Sequence, residues 1–285
     1  MKKQILFLSL GSLVSLNALA VAPNAVFEGL YGGIMGGLVH TKAQTSVNTN
    51  TLSDTPFGGG DTDLSSSPQN VNQTKNSGIG ALYLGYGKFI NNTRFYMAGE
   101  IFGDFAKRDP ASSTYNSLAG FTPAESASLA TTTQVKLNNG EFGVDFRPGY
   151  LVAPNTLLYG RVGAAFNKIS LTTNNTYVVA GSNEGEGSYS YTSTLPVTNT
   201  KNALGLRLGL GAEHYLGNNF ALTFDYIYTY YGKVTASNTG NTTGADDTGS
   251  AVITTGGFTG QSSAKVSTQA AMLGIKYYFP VNGRR

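Results

Sequence analysis

Between residues 203 and 230 the chain alternates. Leu204, Leu206, Leu208 and Leu210 fall on every second position, and Gly217-Asn218 then marks a turn. Phe220, Leu222, Phe224, Tyr226, Tyr228 and Tyr230 resume the same spacing, while Arg207, Glu213 and Asp225 occupy the opposite phase. A period of two puts the apolar set on one face of an extended strand and the polar set on the other. The pattern recurs in eight segments: 28–42, 78–89, 93–106, 134–151, 156–171, 203–216, 219–234 and 268–279.

The connections alternate in length. Ile90-Asn91-Asn92, Val152 to Asn155 and Gly217-Asn218 are short and carry the Asn, Gly and Pro of tight turns. Between them lie four long polar stretches, 43–77, 107–133, 172–202 and 235–267, rich in Ser, Thr, Asn, Gly and Gln. Long structureless connections are out of place in a compact soluble domain. Short turns at one end and long loops at the other suit a barrel in an outer membrane. This composition predicts mobile loops without a core of their own.

The phase of the charges sharpens the picture. Phe95, Met97, Ile101 and Phe105 oppose Glu100 and Asp104, and Phe142, Val144 and Phe146 oppose Glu141, Asp145 and Arg147. Leu158, Val162, Ala164 and Phe166 oppose Tyr159 and Arg161. Ala271, Leu273, Ile275, Tyr277 and Phe279 oppose Lys276. A charge facing lipid near the bilayer midplane costs roughly 2–4 kcal/mol, and no mid-strand charge in these segments breaks phase. A soluble sandwich would carry many Lys and Glu on its wet face; here that face is mostly glycine and small residues. The expected fold is all-β, a closed eight-stranded antiparallel up-and-down transmembrane β-barrel with long extracellular loops. Tyrosines at the ends of the apolar face suit a membrane girdle. The Gly-rich first segment leaves its phase open. Pro148 is expected near the periplasmic end of its strand or at a bulge, because it lacks an N–H.

Composition supports this reading. Only 12% of residues are charged, Tyr and Phe number 17 and 15, and no cysteine is present. A disulfide framework is excluded, and a net charge of +3 does not suggest nucleic acid. At the amino end, Lys2 and Lys3 precede an apolar run over 5–16, and Ala18-Leu19-Ala20 has the small-x-small form of a cleavage site. Residues 1–20 are expected to be a signal peptide cut after Ala20, leaving 21–285 as a single barrel domain. An even strand number then puts both termini in the periplasm.

Eight strands enclose a space that side chains just fill. Six acids (Glu100, Asp104, Glu141, Asp145, Glu213 and Asp225) and four bases (Arg147, Arg161, Arg207 and Lys276) share the inward phase. Buried charges must pair, so they are expected to form a salt-bridge network that closes the lumen. An open diffusion pore is not expected.

With these features the chain resembles the outer-membrane protein A and opacity-type small barrels of Gram-negative bacteria. Its last strand carries Leu273, Ile275, Tyr277 and Phe279, similar to that family's carboxy-terminal signal, which the resemblance implies is read by the barrel-assembly machinery. A short tail, Pro280 to Arg285, follows where the aromatic normally ends the chain. The implied surroundings are outer-membrane lipid and lipopolysaccharide, with a host or surface ligand met through the loops. No cofactor or metal is implied. Two other classes stay open: a lipid-modifying surface enzyme, and a small channel or binder of hydrophobic molecules. The enzyme reading is weakened because His40 and His214 are followed by Thr-Lys and Tyr-Leu rather than the His-x-Ser element of lipid A deacylase barrels. Gly58-Gly-Gly-Asp-Thr-Asp and Asp246-Asp247 lack the tandem copies of a calcium repeat.

Overall fold

The computed structural model describes residues 26–53, 62–65, 69–91, 93–110, 112–122, 125–183, 187–242 and 256–280. The cleavage signal at Ala18 and Ala20 and the Asp246-Asp247 pair lie outside the described residues, as does most of the Gly58 to Asp63 segment. The strands are β1 (Gly29–Ser53), β2 (Thr62–Ser65), β3 (Gln69–Phe89), β4 (Phe95–Ala106), β5 (Ser113–Thr122) and β6 (Glu125–Leu137). They continue as β7 (Gly140–Ala153), β8 (Thr156–Asn183), β9 (Gly187–Gly217), β10 (Phe220–Thr242) and β11 (Gly256–Tyr278).

All pairings are antiparallel. β1 pairs with β3, β3 with β4, β4 with β7, and β7 with β8. β8 pairs with β9, β9 with β10, β10 with β11, and β11 returns to β1. The result is a ring of hydrogen-bonded strands. β2 pairs with β1, and the β5–β6 hairpin joins the ring where β6 runs beside β8.

The first strand, open in the sequence, has a definite phase. Leu30, Ile34 and Leu38 face out, while Tyr31, Met35, Val39 and Ala43 are buried inside. The other strands follow suit: Leu210 is 70% exposed on the outer wall, and Arg147 is 0% exposed within. Pro148 lies on the outer wall, and the β7–β8 ladder is unpaired at Arg147–Pro148 opposite Gly160–Arg161 without a change of register. It is therefore at a gap in the ladder rather than at a bulge. The lost pairs are those that would need an N–H on residue 148.

The expected strand ends need correction. Segment 134–151 is two strands, because Asn138-Asn139 breaks it and Gln134–Leu137 pairs with β8 instead. The polar stretches 43–77, 172–202 and 235–267 are largely strand, not structureless loops. The β8–β9 ladder runs on to Asn183 opposite Gly187, and the β10–β11 ladder to Thr242 opposite Gly256. Stretch 107–133 holds β5 and most of β6. Two physical causes act. Cross-strand hydroxyls bond outside, as between Ser170 and Thr200 at 2.9 Å and Thr172 and Thr198 at 3.1 Å. Inside, Ala43, Val47, Ala236, Ala264 and Val266 are buried, so these extensions have apolar side chains in the core that their composition hides.

Below that apolar tier, large and absent side chains interlock. A Cβ on Gly85 would lie 2.6 Å from the Tyr31 ring, and one on Gly143 2.7 Å from that of Phe102. Overfilling such a core costs about 1–3 kcal/mol. Gly85→Val is expected to lower stability by that amount; urea unfolding in detergent, followed by gel mobility of unboiled sample, measures it.

Candidate functional site

The inward phase brings the charged side chains of six strands together. Glu100 of β4 sits at the centre. Its Oε2 accepts from Arg147 Nη1 at 3.0 Å and from the Tyr31 hydroxyl at 3.2 Å, and its Oε1 from Arg161 Nη1 at 2.5 Å. Arg161 also donates to Asp145 Oδ2 at 2.6 Å and to Asp225 Oδ2 at 2.8 Å. Arg147 reaches Glu213 Oε2 at 3.2 Å, and Lys276 Nζ meets the same oxygen at 2.6 Å. The Tyr278 hydroxyl donates to the other Glu213 oxygen.

On the side towards the apolar tier, Arg207 donates to Asp104 Oδ2 at 2.7 Å and to Glu141 Oε1 at 3.3 Å. Its Nε lies 3.2 Å from Asp145 Oδ2, which links the two groups. Tyr231 donates its hydroxyl to Glu141. The flat guanidinium groups are packed as well as paired: Arg147 lies 3.7 Å from the Tyr159 ring centroid, and Arg207 3.7 Å from that of Phe102. Lys276 Nζ lies 4.0 Å from the Tyr31 centroid. Cations gain from a ring face most when water is excluded.

All ten charges singled out in the sequence are thus in one connected cluster, each buried. One member was missed. Arg108 is 1% exposed, and its Nη1 lies 3.5 Å from Glu141 Oε2. It stood at the start of a stretch read as loop, yet the β4 phase, continued by two residues beyond Ala106, points it inward. With Arg108 the six acids face five bases. Several buried polar atoms, among them Arg147 Nε, Asp225 Oδ1 and the Tyr83 hydroxyl, have no protein partner.

The histidines take no part. His40 Nδ1 pairs with Asn76 Oδ1 at 2.5 Å, and His214 Nδ1 with Thr156 Oγ1 at 3.0 Å. Glu213 points into the cluster while the adjacent His214 does not. Among the described residues no group of three His, Asp or Glu side chains is placed to hold a metal ion. At the carboxy end Leu273, Ile275 and Phe279 are exposed, and Tyr277 packs against Phe220 and Phe279 at centroid distances of 5.0 and 5.4 Å.

An outer wall of apolar side chains around an interior of paired charges defines a protein of the outer-membrane barrel class. The chain belongs to the family of the outer membrane protein beta-barrel domain, whose family model matches residues 7–279. Membership places it in the outer membrane of a Gram-negative bacterium. It is similar to the attachment invasion locus protein Ail of Yersinia pestis, at 13% identity and a TM-score of 0.29, over 88% of this chain and 99% of that one. Neisserial surface protein A is matched at 11% identity and a TM-score of 0.26, over 85% and 99%. The outer membrane protease OmpT of Escherichia coli is matched at 10% identity and a TM-score of 0.23, over 92% and 99%. No curated protein sequence matches the chain.

Removing one partner of a buried ion pair costs about 3–5 kcal/mol, because the other is left uncompensated. Glu100→Gln strands both Arg147 and Arg161. It is expected to lower the urea midpoint of the detergent-solubilised protein strongly, whereas Lys168→Gln, on the exposed outer surface, leaves it unchanged.

Proposed function

We propose that the ring is a closed eight-stranded barrel that anchors a surface-recognition sheet in the outer membrane. It has both termini on the periplasmic side, and its interior is plugged by the ion-pair cluster. Function then resides in the strand extensions beyond the apolar belt. The observation that carries this reading is the division of each long strand. On β8 the outward side chains change from Leu158, Val162 and Phe166 to Lys168, Ser170 and Thr172, while the ladder continues unbroken. The belt suits hydrocarbon and the continuation suits water.

The plug follows from packing. Arg147, Glu100, Arg161 and Asp225 meet across the lumen at hydrogen-bond distance, with Tyr31 and Tyr159 filling the space between. A rigid interior of this kind has no task in moving solutes, and it frees the projecting sheet to act as the contact surface. β5 pairs only with β6 among the described residues, so its other edge offers unpaired backbone N–H and C=O groups. Such an edge is a template for a partner's strand. The partner class that fits is a host or surface protein segment. His40 and His214 bond the Asn76 amide and the Thr156 hydroxyl, and neither takes part in the buried charge cluster. Leu273, Ile275, Tyr277 and Phe279 would serve recognition by the assembly machinery.

Two measurements test the reading. In planar bilayers the purified protein is expected to show no large, steady conductance; a constant open channel would refute the plug. Deleting residues 113–133, the β5–β6 hairpin, is expected to leave gel heat-modifiability intact while abolishing binding of cells to a protein-coated surface. Unchanged binding would move recognition elsewhere.

A further inference from the structure

The outer wall carries an unexplained arrangement of cations where the apolar belt ends. Lys233 of β10 and Lys265 of β11 are direct cross-strand partners, and both are exposed. Like charges placed opposite one another oppose pairing. One row nearer the belt, Ser267 of β11 has Lys42 of β1 on one side and Tyr230 of β10 on the other. Gln44 flanks Lys265 from the β1 side. Among the described residues no carboxylate forms a salt bridge with Lys42, Lys233 or Lys265.

The backbone is bent to make this cluster. Below it, the even-numbered residues of β10 face out: Phe224, Tyr226, Tyr228 and Tyr230 are exposed, and Tyr231 is buried against Glu141. Uninterrupted alternation would turn residue 233 inward. Instead the register shifts between Tyr230 and Lys233, with Gly232 at φ 76° in the left-handed region. The extra residue reverses the phase. Lys233 comes out, and Val234 and Ala236 go in. Bulges of this kind re-aim side chains and require glycine at a positive φ. The strand thus gives up ladder pairing at one step to put a second ammonium beside Lys265.

We infer that Lys42, Lys233 and Lys265, with the Ser267 and Tyr230 hydroxyls, form a binding site for the phosphate of an outer-leaflet glycolipid headgroup. Three ammonium groups without a carboxylate, joined by two neutral donors, match a phosphate monoester: several anionic acceptor oxygens around one centre. The position selects the source. Tyr230, Leu38 and Ala271 lie on the belt side of the site, so a ligand held there has its apolar part along the wall and its phosphate against the lysines. Lipid A has both parts. This inference rests on the membrane placement and orientation proposed above.

The test uses the full mature protein in nanodiscs of neutral phospholipid, with native mass spectrometry as readout and bisphosphorylated lipid A as probe. The wild type is expected to retain lipid A about tenfold better than K233Q/K265Q, and to bind dephosphorylated lipid A no better than that variant does. Deletion of Gly232 joins Lys233 directly to the inward Tyr231, so simple alternation keeps Lys233 outward opposite Lys265, and this variant should retain lipid A as the wild type does, with heat-modifiability confirming folding. Equal retention by wild type and K233Q/K265Q overturns the site, and so does an equal loss in K136Q/K168Q, where lysines elsewhere on the rim are removed. Displacement of lipid A by millimolar inorganic phosphate would indicate a soluble anion as the ligand and overturn the lipid assignment. Failure of the wild type to enter nanodiscs at all would instead refute the membrane placement on which the site depends.

Discussion

Hydrocarbon does not tolerate an unpaired charge, and every other feature of this chain is arranged around that constraint. A strand offers two faces. When one meets lipid, each ionisable side chain of the span must take the other, where it meets its counterparts from neighbouring strands. Burial there would be prohibitive for a lone ion. The six acids and five bases of the interior therefore neutralise one another almost completely, and arginines that bridge different carboxylates join the pairs into a network. Glu100 binds two guanidinium groups and Arg161 binds three carboxylates. The network is a consequence of the wall, and it ties six strands of the ring to one another through buried ion pairs.

The interior of the ring has two tiers. The charged tier lies level with the aromatic and leucine belt. Further out, β-branched and small residues such as Val39, Ile169, Val234 and Val266 turn inward, with Thr41, Thr45, Thr133 and Thr173 among them, while Ser170, Thr172, Thr198 and Thr200 pair on the outside. Where the belt ends, the strands become ordinary soluble sheet with a buried side and a wet side. Gly232 marks the change on β10, reversing its phase beside the last exposed tyrosine. The extensions are hydrogen-bonded sheet, and among the described residues the outer edge of β5 is unpaired.

Much of this was legible in the sequence, because alternation is a strong signal wherever one phase is charged and the other apolar. The ten interior charges were found by phase alone. Other features were hidden by composition. Ser, Thr, Asn and Gly look like loop, and they outweighed the weaker alternation of Ala43, Val47, Ala264 and Val266 in the same stretches. Arg108 was lost for that reason, although two more steps of the β4 phase reach it. Asn138-Asn139-Gly140 is a turn signal, and it separates β6 from β7 where a single strand was expected. The pairing of Lys233 with Lys265 could not be read at all: it depends on a bulge, and simple alternation turns Lys233 inward.

The absence of cysteine from the chain permits a direct test of the central claim, that the outer wall faces lipid. Single cysteines placed at Leu204, Leu206, Leu208 and Leu210, and at Thr198 and Thr200 on the same strand, would carry nitroxide labels in vesicle-reconstituted protein. Collision rates with oxygen and with a water-soluble nickel chelate then report the surroundings of each label. The leucine positions are expected to favour oxygen and exclude nickel, with the preference reversing at the threonines. Nickel access at the leucines equal to that at the threonines would contradict the account.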